Sequence, residues 1–121
     1  MALGYGVDLL ARVSWVRGAR SFYWGDIDTH GFAILSLLRA QLPAVRSLFM
    51  NESTLLAHRA LWASEPTQHA AHELPHLDPV EQALYHVLKQ HVLGSAVRLE
   101  QERISWDIAW PALNDALAKV D

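Results

Sequence analysis

The chain contains no cysteine, which excludes disulfides, thiolate metal sites and cysteine nucleophiles, and which fits a reducing, cytoplasmic setting. It has no apolar run near the ~20 residues needed to cross a bilayer, so no membrane association is expected. Its first residues carry no basic stretch ahead of an apolar one, so they do not read as a secretory signal. It also lacks an excess of basic charge. The net charge is −3, which counts against a global electrostatic pull toward nucleic acid but still allows a local basic groove. Acids are scarce at the start: residues 1–19 hold Asp8 and no glutamate. There is no internal repeat and no low-complexity tract.

What remains is an ordinary globular composition in 121 residues, 51% hydrophobic and 19% charged. That length fits one domain, which buries roughly two thirds of its unfolded surface. The first residues, Met1 to Asp8, pass through Gly4-Tyr5-Gly6 straight into an amphipathic stretch, as if the chain were entered partway through a domain.

Val7, Leu9, Leu10, Val13 and Val16 predict a helix over 6–15, with Gly18 in the turn after it. Residues 20–25, Arg-Ser-Phe-Tyr-Trp-Gly, are short and aromatic and read as a buried strand. Residues 32–40 are apolar nearly all round and stop before Pro43, which predicts a helix buried against a sheet. Residues 45–50 form a second strand candidate, and Asn51 is placed to cap a helix running to about Trp62. Strand, helix, strand, helix in that order predicts an α/β fold, with a βαβ unit and parallel strands. Two strands are few for an open sheet, so further strands are expected upstream or from a partner chain.

After Trp62 the character changes. Residues 63–78 hold Pro66, Pro75 and three histidines and read as a loop. Asp78-Pro79-Val80-Glu81 starts a helix, with Asp78 as N-cap, Pro79 at N1 and Glu81 at N3. Val80, Ala83, Leu84, Val87 and Leu88 give it an amphipathic stripe, and Gly94 is expected to end it. Residues 98–103 are polar and predicted helical, and a last helix is expected from Pro111. The organisation is therefore an α/β core over 1–62, a loop over 63–78 and a helical C-terminal segment over 79–121.

The most informative residues are Asp26-Ile27-Asp28-Thr29-His30-Gly31. They lie between a predicted strand and a buried helix, where open α/β sheets bind ligands at the carboxyl ends of strands. Two carboxylates there suit a hard cation, because Mg²⁺ is commonly held by one or two carboxylates with water and substrate phosphates. The following helix start would favour a phosphate. An EF-hand loop would need a bidentate Glu at its twelfth position, which is Leu37, so that reading fails. Haloacid-dehalogenase-like phosphatases carry Thr or Val at the fifth position of their motif, which is His30 here. The plainer alternative is that Asp28 or Thr29 caps the helix and Asp26 is a solvated turn residue.

The stretch Tyr23 to Phe32 resembles the Asp-x-Asp motif of Toprim domains. It resembles the branch holding the Wadjet nuclease subunit JetD and, more distantly, the A subunit of topoisomerase VI. Gly4-Tyr5-Gly6, Leu48-Phe49-Met50 with Thr54-Leu55-Leu56, and Arg98 to Ile104 resemble further segments of that family in order. The resemblance implies a partial Toprim, Rossmann-like parallel sheet with Asp26 and Asp28 as catalytic metal ligands for Mg²⁺, with Mn²⁺ as the alternative ion. It implies Mg²⁺-dependent cleavage of plasmid DNA in company with SMC-like subunits. The family's third ligand is a Glu on an earlier strand. No such residue stands in 1–19, so the chain by itself is expected not to cut DNA.

Glu100 and Glu102 are second-tier candidates, with pairing to Arg98 and Arg103 along a helix as the plainer role. His30 is a further candidate for phosphate contact or proton transfer. His69, His72 and His76 have zinc-like spacing, but in a proline-bracketed loop an exposed run is the simpler reading. Trp24, beside the acids, is the one tryptophan placed to stack on a base. The alternatives to a nuclease are a non-catalytic Toprim-like module that binds phosphate or protein, and a homodimerisation unit using an exposed sheet edge.

Overall fold

The computed structural model of the protein describes residues 13–17, 20–104, 111, 114 and 115. β1 (Val13–Arg17) and β2 (Arg20–Tyr23) form an antiparallel pair, with a bulge between Val13 and Trp15. The helix expected over 6–15 is therefore a strand from Val13 onward; its earlier part lies outside the described residues. The apolar spacing suited a helix, but the β-branched and aromatic run Val13, Trp15, Val16 also suits a pleated surface, and pairing with β2 decides.

α1 (Thr29–Gln41) follows, and β3 (Arg46–Ser47) pairs parallel with β2, Phe22 opposite Arg46 and Tyr23 opposite Ser47. This is the expected βαβ unit, in a sheet of order β1-β2-β3. β3 is shorter than the apolar run 45–50 suggested. Val45, Leu48 and Met50 in that run are nonetheless buried. α1 is buried on almost every side, through Phe32, Ala33, Ile34, Leu35 and Leu38, as its all-round apolar sequence predicts.

α2 (Glu52–Ala57) starts where Asn51 accepts from the Thr54 N–H, and a 3₁₀ turn at Arg59–Leu61 continues it. β4 (Ala63–Ser64) and β5 (Val97–Arg98) form a second, antiparallel pair. Residues 98–103 are accordingly not a helix: Arg98 ends β5 and Gln101–Arg103 is a 3₁₀ turn. α3 (Pro79–Lys89) carries the full capping box, Asp78 and Glu81 each bonding the other's backbone N–H. It ends at Lys89 with Gln90 as its C-cap, four residues before Gly94. The helix expected from Pro111 lies largely outside the described residues.

Of the expected loop over 63–78, Ala63–Ser64 is a strand, and the irregular remainder, 65–78, is tied down on both sides. The His69 N–H donates to Thr29 Oγ1 and the His76 N–H to Ser36 Oγ on α1. Tyr85 Oη of α3 donates to the Ala71 carbonyl at 2.6 Å. Leu74 is buried, and Phe32 meets Tyr85 edge to face. The strap thus joins α1 to α3 and holds the start of α1, where the candidate site lies. Among the described residues, no helix is long and apolar enough to cross a membrane.

Candidate metal centre

The candidate acids stand on extended backbone. Ile27 forms an antiparallel bridge with Leu99, its N–H donating to the Leu99 carbonyl at 2.9 Å and the Leu99 N–H returning at 3.1 Å. Ile27 and Leu99 are both buried. In extended backbone, residues two apart share a face, so Asp26 and Asp28 lie together on the side opposite Ile27. The same register sets Arg98 across from Asp28 and Glu100 across from Asp26. The bridge at Ile27 puts the two carboxylates on one side, and the chain bends at Asp28 into α1.

Asp28 is almost wholly buried, at 1% exposure. Its Oδ1 accepts from the Gly31 N–H at 2.6 Å, making it the N-cap of α1. Its Oδ2 accepts from Arg98 Nε at 2.7 Å, an ion pair spanning 70 residues of sequence. The capping role weighed for Asp28 is thus observed, and it coexists with the Arg98 contact. Asp26 is half-buried; its Oδ1 accepts from the Gln101 N–H at 2.7 Å. Oδ2 of Asp26 accepts no hydrogen bond among the described residues.

Both carboxyls titrate above the ordinary aspartate range. Burial is the chief cause for Asp26, reinforced by the charges of Asp28 and Glu102, while the Gln101 N–H and Arg98 work the other way. Burial again leads for Asp28, followed by the charge of Glu65, against the Gly31 N–H and Arg98. Burial, and behind it the neighbouring acids, disfavours the charged form of both carboxyls.

Glu65 is the residue that sequence reasoning missed. It is 3% exposed and clasps the start of α1, accepting from the Thr29 N–H at 3.2 Å, Thr29 Oγ1 at 2.8 Å and the His30 N–H at 3.2 Å. A carboxylate there is favoured by the orphan donors and by the helix dipole. The one signal in the sequence is indirect: the first turn of α1 contains no acid, so negative charge had to come from elsewhere. With Glu65 and Asp28 on the first three N–H groups, the start of α1 is already satisfied. The expectation that it would bind phosphate is therefore corrected.

The other candidates separate. Glu102 is exposed but close enough to act on Asp26 by charge. Among the described residues neither Glu100 nor Glu102 forms an ion pair; Arg98 is committed to Asp28 instead. His30 Nε2 lies 2.8 Å from the Thr67 carbonyl and 3.9 Å from Glu65, and its ring meets that of His69 edge to face. Trp24 is buried against Phe49, with ring centroids 4.9 Å apart, so it is not a stacking platform for bases. Among the described residues no three His, Asp or Glu side chains converge as a metal set. Two hard carboxylates, with one oxygen of Asp26 accepting no hydrogen bond among the described residues, are the ligand type a divalent cation takes.

Gly31 explains the final position of the motif. A Cβ there would stand 2.0 Å from the Asp26 carbonyl oxygen, a backbone atom that can yield only if the Asp26–Asp28 segment moves. Gly31→Ala is expected to cost about 3 kcal/mol, at the upper end for overpacking. An unchanged urea-unfolding midpoint would refute this close approach.

A family model for the C-terminal part of the Wadjet protein JetD matches residues 1–113. No curated protein matches the chain significantly. With nearly all of its length inside that match, the chain belongs to the JetD C-terminal family.

Proposed function

We propose, with membership of the JetD C-terminal family as the premise, that this chain is the carboxylate-bearing part of a Toprim-type, Mg²⁺-dependent DNA endonuclease subunit acting in plasmid defence. The observation that carries the reading is the placement of Asp26 and Asp28 on one face, after a strand of a parallel pair and at the head of a buried helix. Asp26 and Asp28 would hold the cation, and Mn²⁺ would serve in place of Mg²⁺. A cation held there would supply Lewis-acid polarisation of a phosphodiester oxygen and neutralise charge that develops on it. The chain's own residues orient this pair: the Ile27–Leu99 bridge fixes the face, Gly31 permits the close approach, and Glu65 anchors the helix start. A third carboxylate from the family's upstream strand would complete the set, so activity is assigned to the complete subunit working with SMC-like partners in the cytoplasm.

A second reading, a phosphate- or protein-binding module without chemistry, draws support from Arg98, which already neutralises part of Asp28. The two are separated by incubating the complete subunit and its partners with closed circular plasmid, in Mg²⁺ and then in excess chelator. The nuclease reading predicts linear or nicked product in Mg²⁺ alone. Plasmid left intact in both would favour the module.

A further inference from the structure

A guanidinium has two edges able to grip an anion bidentately, one formed by Nε with a terminal nitrogen and one by the two terminal nitrogens. Arg98 uses Nε on Asp28 Oδ2 at 2.7 Å, and among the described residues its Nη1 and Nη2 make no hydrogen bond. Its side chain is 25% exposed while that of Asp28 is 2% exposed, so the guanidinium lies on the solvent side of the acid. Its charge is felt by Asp28, Asp26 and Glu65 together. The strand that carries Arg98 is fixed by the Ile27–Leu99 bridge one residue away, and by Ser64 opposite Val97 and Ala63 opposite Arg98. The group is therefore held at Nε by Asp28, which leaves Nη1 and Nη2 to bind a further acceptor.

A phosphodiester brought to this place meets two or three carboxylates and is repelled unless cations intervene. A divalent ion held by Asp26 and Asp28 would supply part of that positive charge. We propose that Arg98 supplies the rest as a catalytic residue: its Nη1–Nη2 edge binds the non-bridging oxygens of the scissile phosphate while Nε keeps Asp28 oriented. This deepens the nuclease reading and rests on it. Lysine in the same place would keep the charge but could not hold Asp28 and the phosphate with one planar group.

The test uses the complete subunit, a short DNA duplex and a closed circular plasmid. Duplex affinity is measured against salt with Ca²⁺ in place of Mg²⁺, plasmid cleavage in Mg²⁺, and Mn²⁺ affinity without DNA. For Arg98→Gln, the slope of log affinity against log salt is expected to fall by about 0.9, the loss of one phosphate contact. Its cleavage should drop on the order of 1,000-fold, as for removal of a charge-stabilising donor, with Mn²⁺ affinity unchanged or higher. Arg98→Lys should keep the slope and lose about 10- to 100-fold in cleavage. This conservative variant carries the test if Arg98→Gln does not fold.

An unchanged salt slope in Arg98→Gln, with Mn²⁺ affinity falling in step with cleavage, would reduce Arg98 to a positioning residue for Asp28 and overturn the proposal. Wild-type cleavage by Arg98→Lys would overturn it as well. A wild-type subunit that never cuts plasmid would instead sink the nuclease reading, while the salt slope still reports whether Arg98 touches phosphate.

Discussion

Asp26→Asn is expected to abolish plasmid cleavage by the complete subunit and, at neutral pH, to make the fold more stable. The loss follows from removing a ligand of the cation: metal stabilisation of a phosphoryl transition state amounts to several kcal/mol, so the rate should fall about 1,000-fold or more. The stabilisation follows from the titration of Asp26. Burial and the charges of Asp28 and Glu102 raise its pKa in the folded state. A carboxyl raised in this way contributes stability below its unfolded pKa and loses that contribution as pH rises through the folded value. At neutral pH the ionised group is therefore a cost. Asparagine removes the charge and keeps an oxygen to accept from the Gln101 N–H, so a small gain in stability is expected. The gain should vanish in acid, where wild-type Asp26 is itself protonated. Thermal melts of both proteins across the acid range, beside a plasmid assay, check the pair of effects. A variant that is inactive and markedly less stable would show that Asp26 serves structure instead of a site.

The largest loss of stability is expected from Glu81→Ala. Glu81 is 5% exposed and bonds three elements together. Its two oxygens take the Nη1 and Nη2 groups of Arg39 in α1. It also accepts from Ser47 Oγ of β3 at 2.7 Å and from the Asp78 N–H at the head of α3 at 3.0 Å. Arg39 in turn donates from Nε to the Val45 carbonyl and from Nη1 to the His76 carbonyl. Truncation would leave a largely buried guanidinium without its anion, a change that costs about 3–5 kcal/mol, a large share of the 5–15 kcal/mol typical of a domain. Burial tends to raise the Glu81 carboxyl, but Arg39, Ser47 and the Asp78 N–H together hold it below the ordinary glutamate value. Its contribution is thus present above the ordinary glutamate range and lost as pH falls through the depressed value. The stability difference between wild type and Glu81→Gln should accordingly shrink as the solution is acidified below about pH 4.3. Equal denaturation midpoints for wild type and Glu81→Ala at neutral pH would contradict this account.

What could be read from the sequence was what neighbours in the chain decide. Asp78, Pro79 and Glu81 specify a helix start within four residues, and the capping box is present. Asn51 caps α2 for the same reason, and α1 announces its burial through an apolar run broken only by Ser36 between Phe32 and Leu38. The Asp26–Gly31 motif was legible as a motif. The side chains that surround it were not, because they arrive from far away: Glu65 from 36 residues on and Arg98 from 70. β4 and β5 are two residues each and exist only through one another, so no local pattern marks them. Glu81 was legible as a cap, whereas its hold on Arg39 and Ser47 was not. Val13–Arg17 shows the converse, an apolar spacing compatible with two structures and settled by the strand beside it.

The most direct test of the central claim is Mn²⁺ binding to the complete subunit, followed by electron paramagnetic resonance during titration, in the wild type and in Asp26→Asn. A metal site built on Asp26 and Asp28 predicts saturable Mn²⁺ binding by the wild type, displaced by Mg²⁺ and lost in the variant. Wild-type protein that leaves Mn²⁺ free, or a variant that binds it equally well, would mean that the paired aspartates cap a helix and hold an arginine without serving a metal.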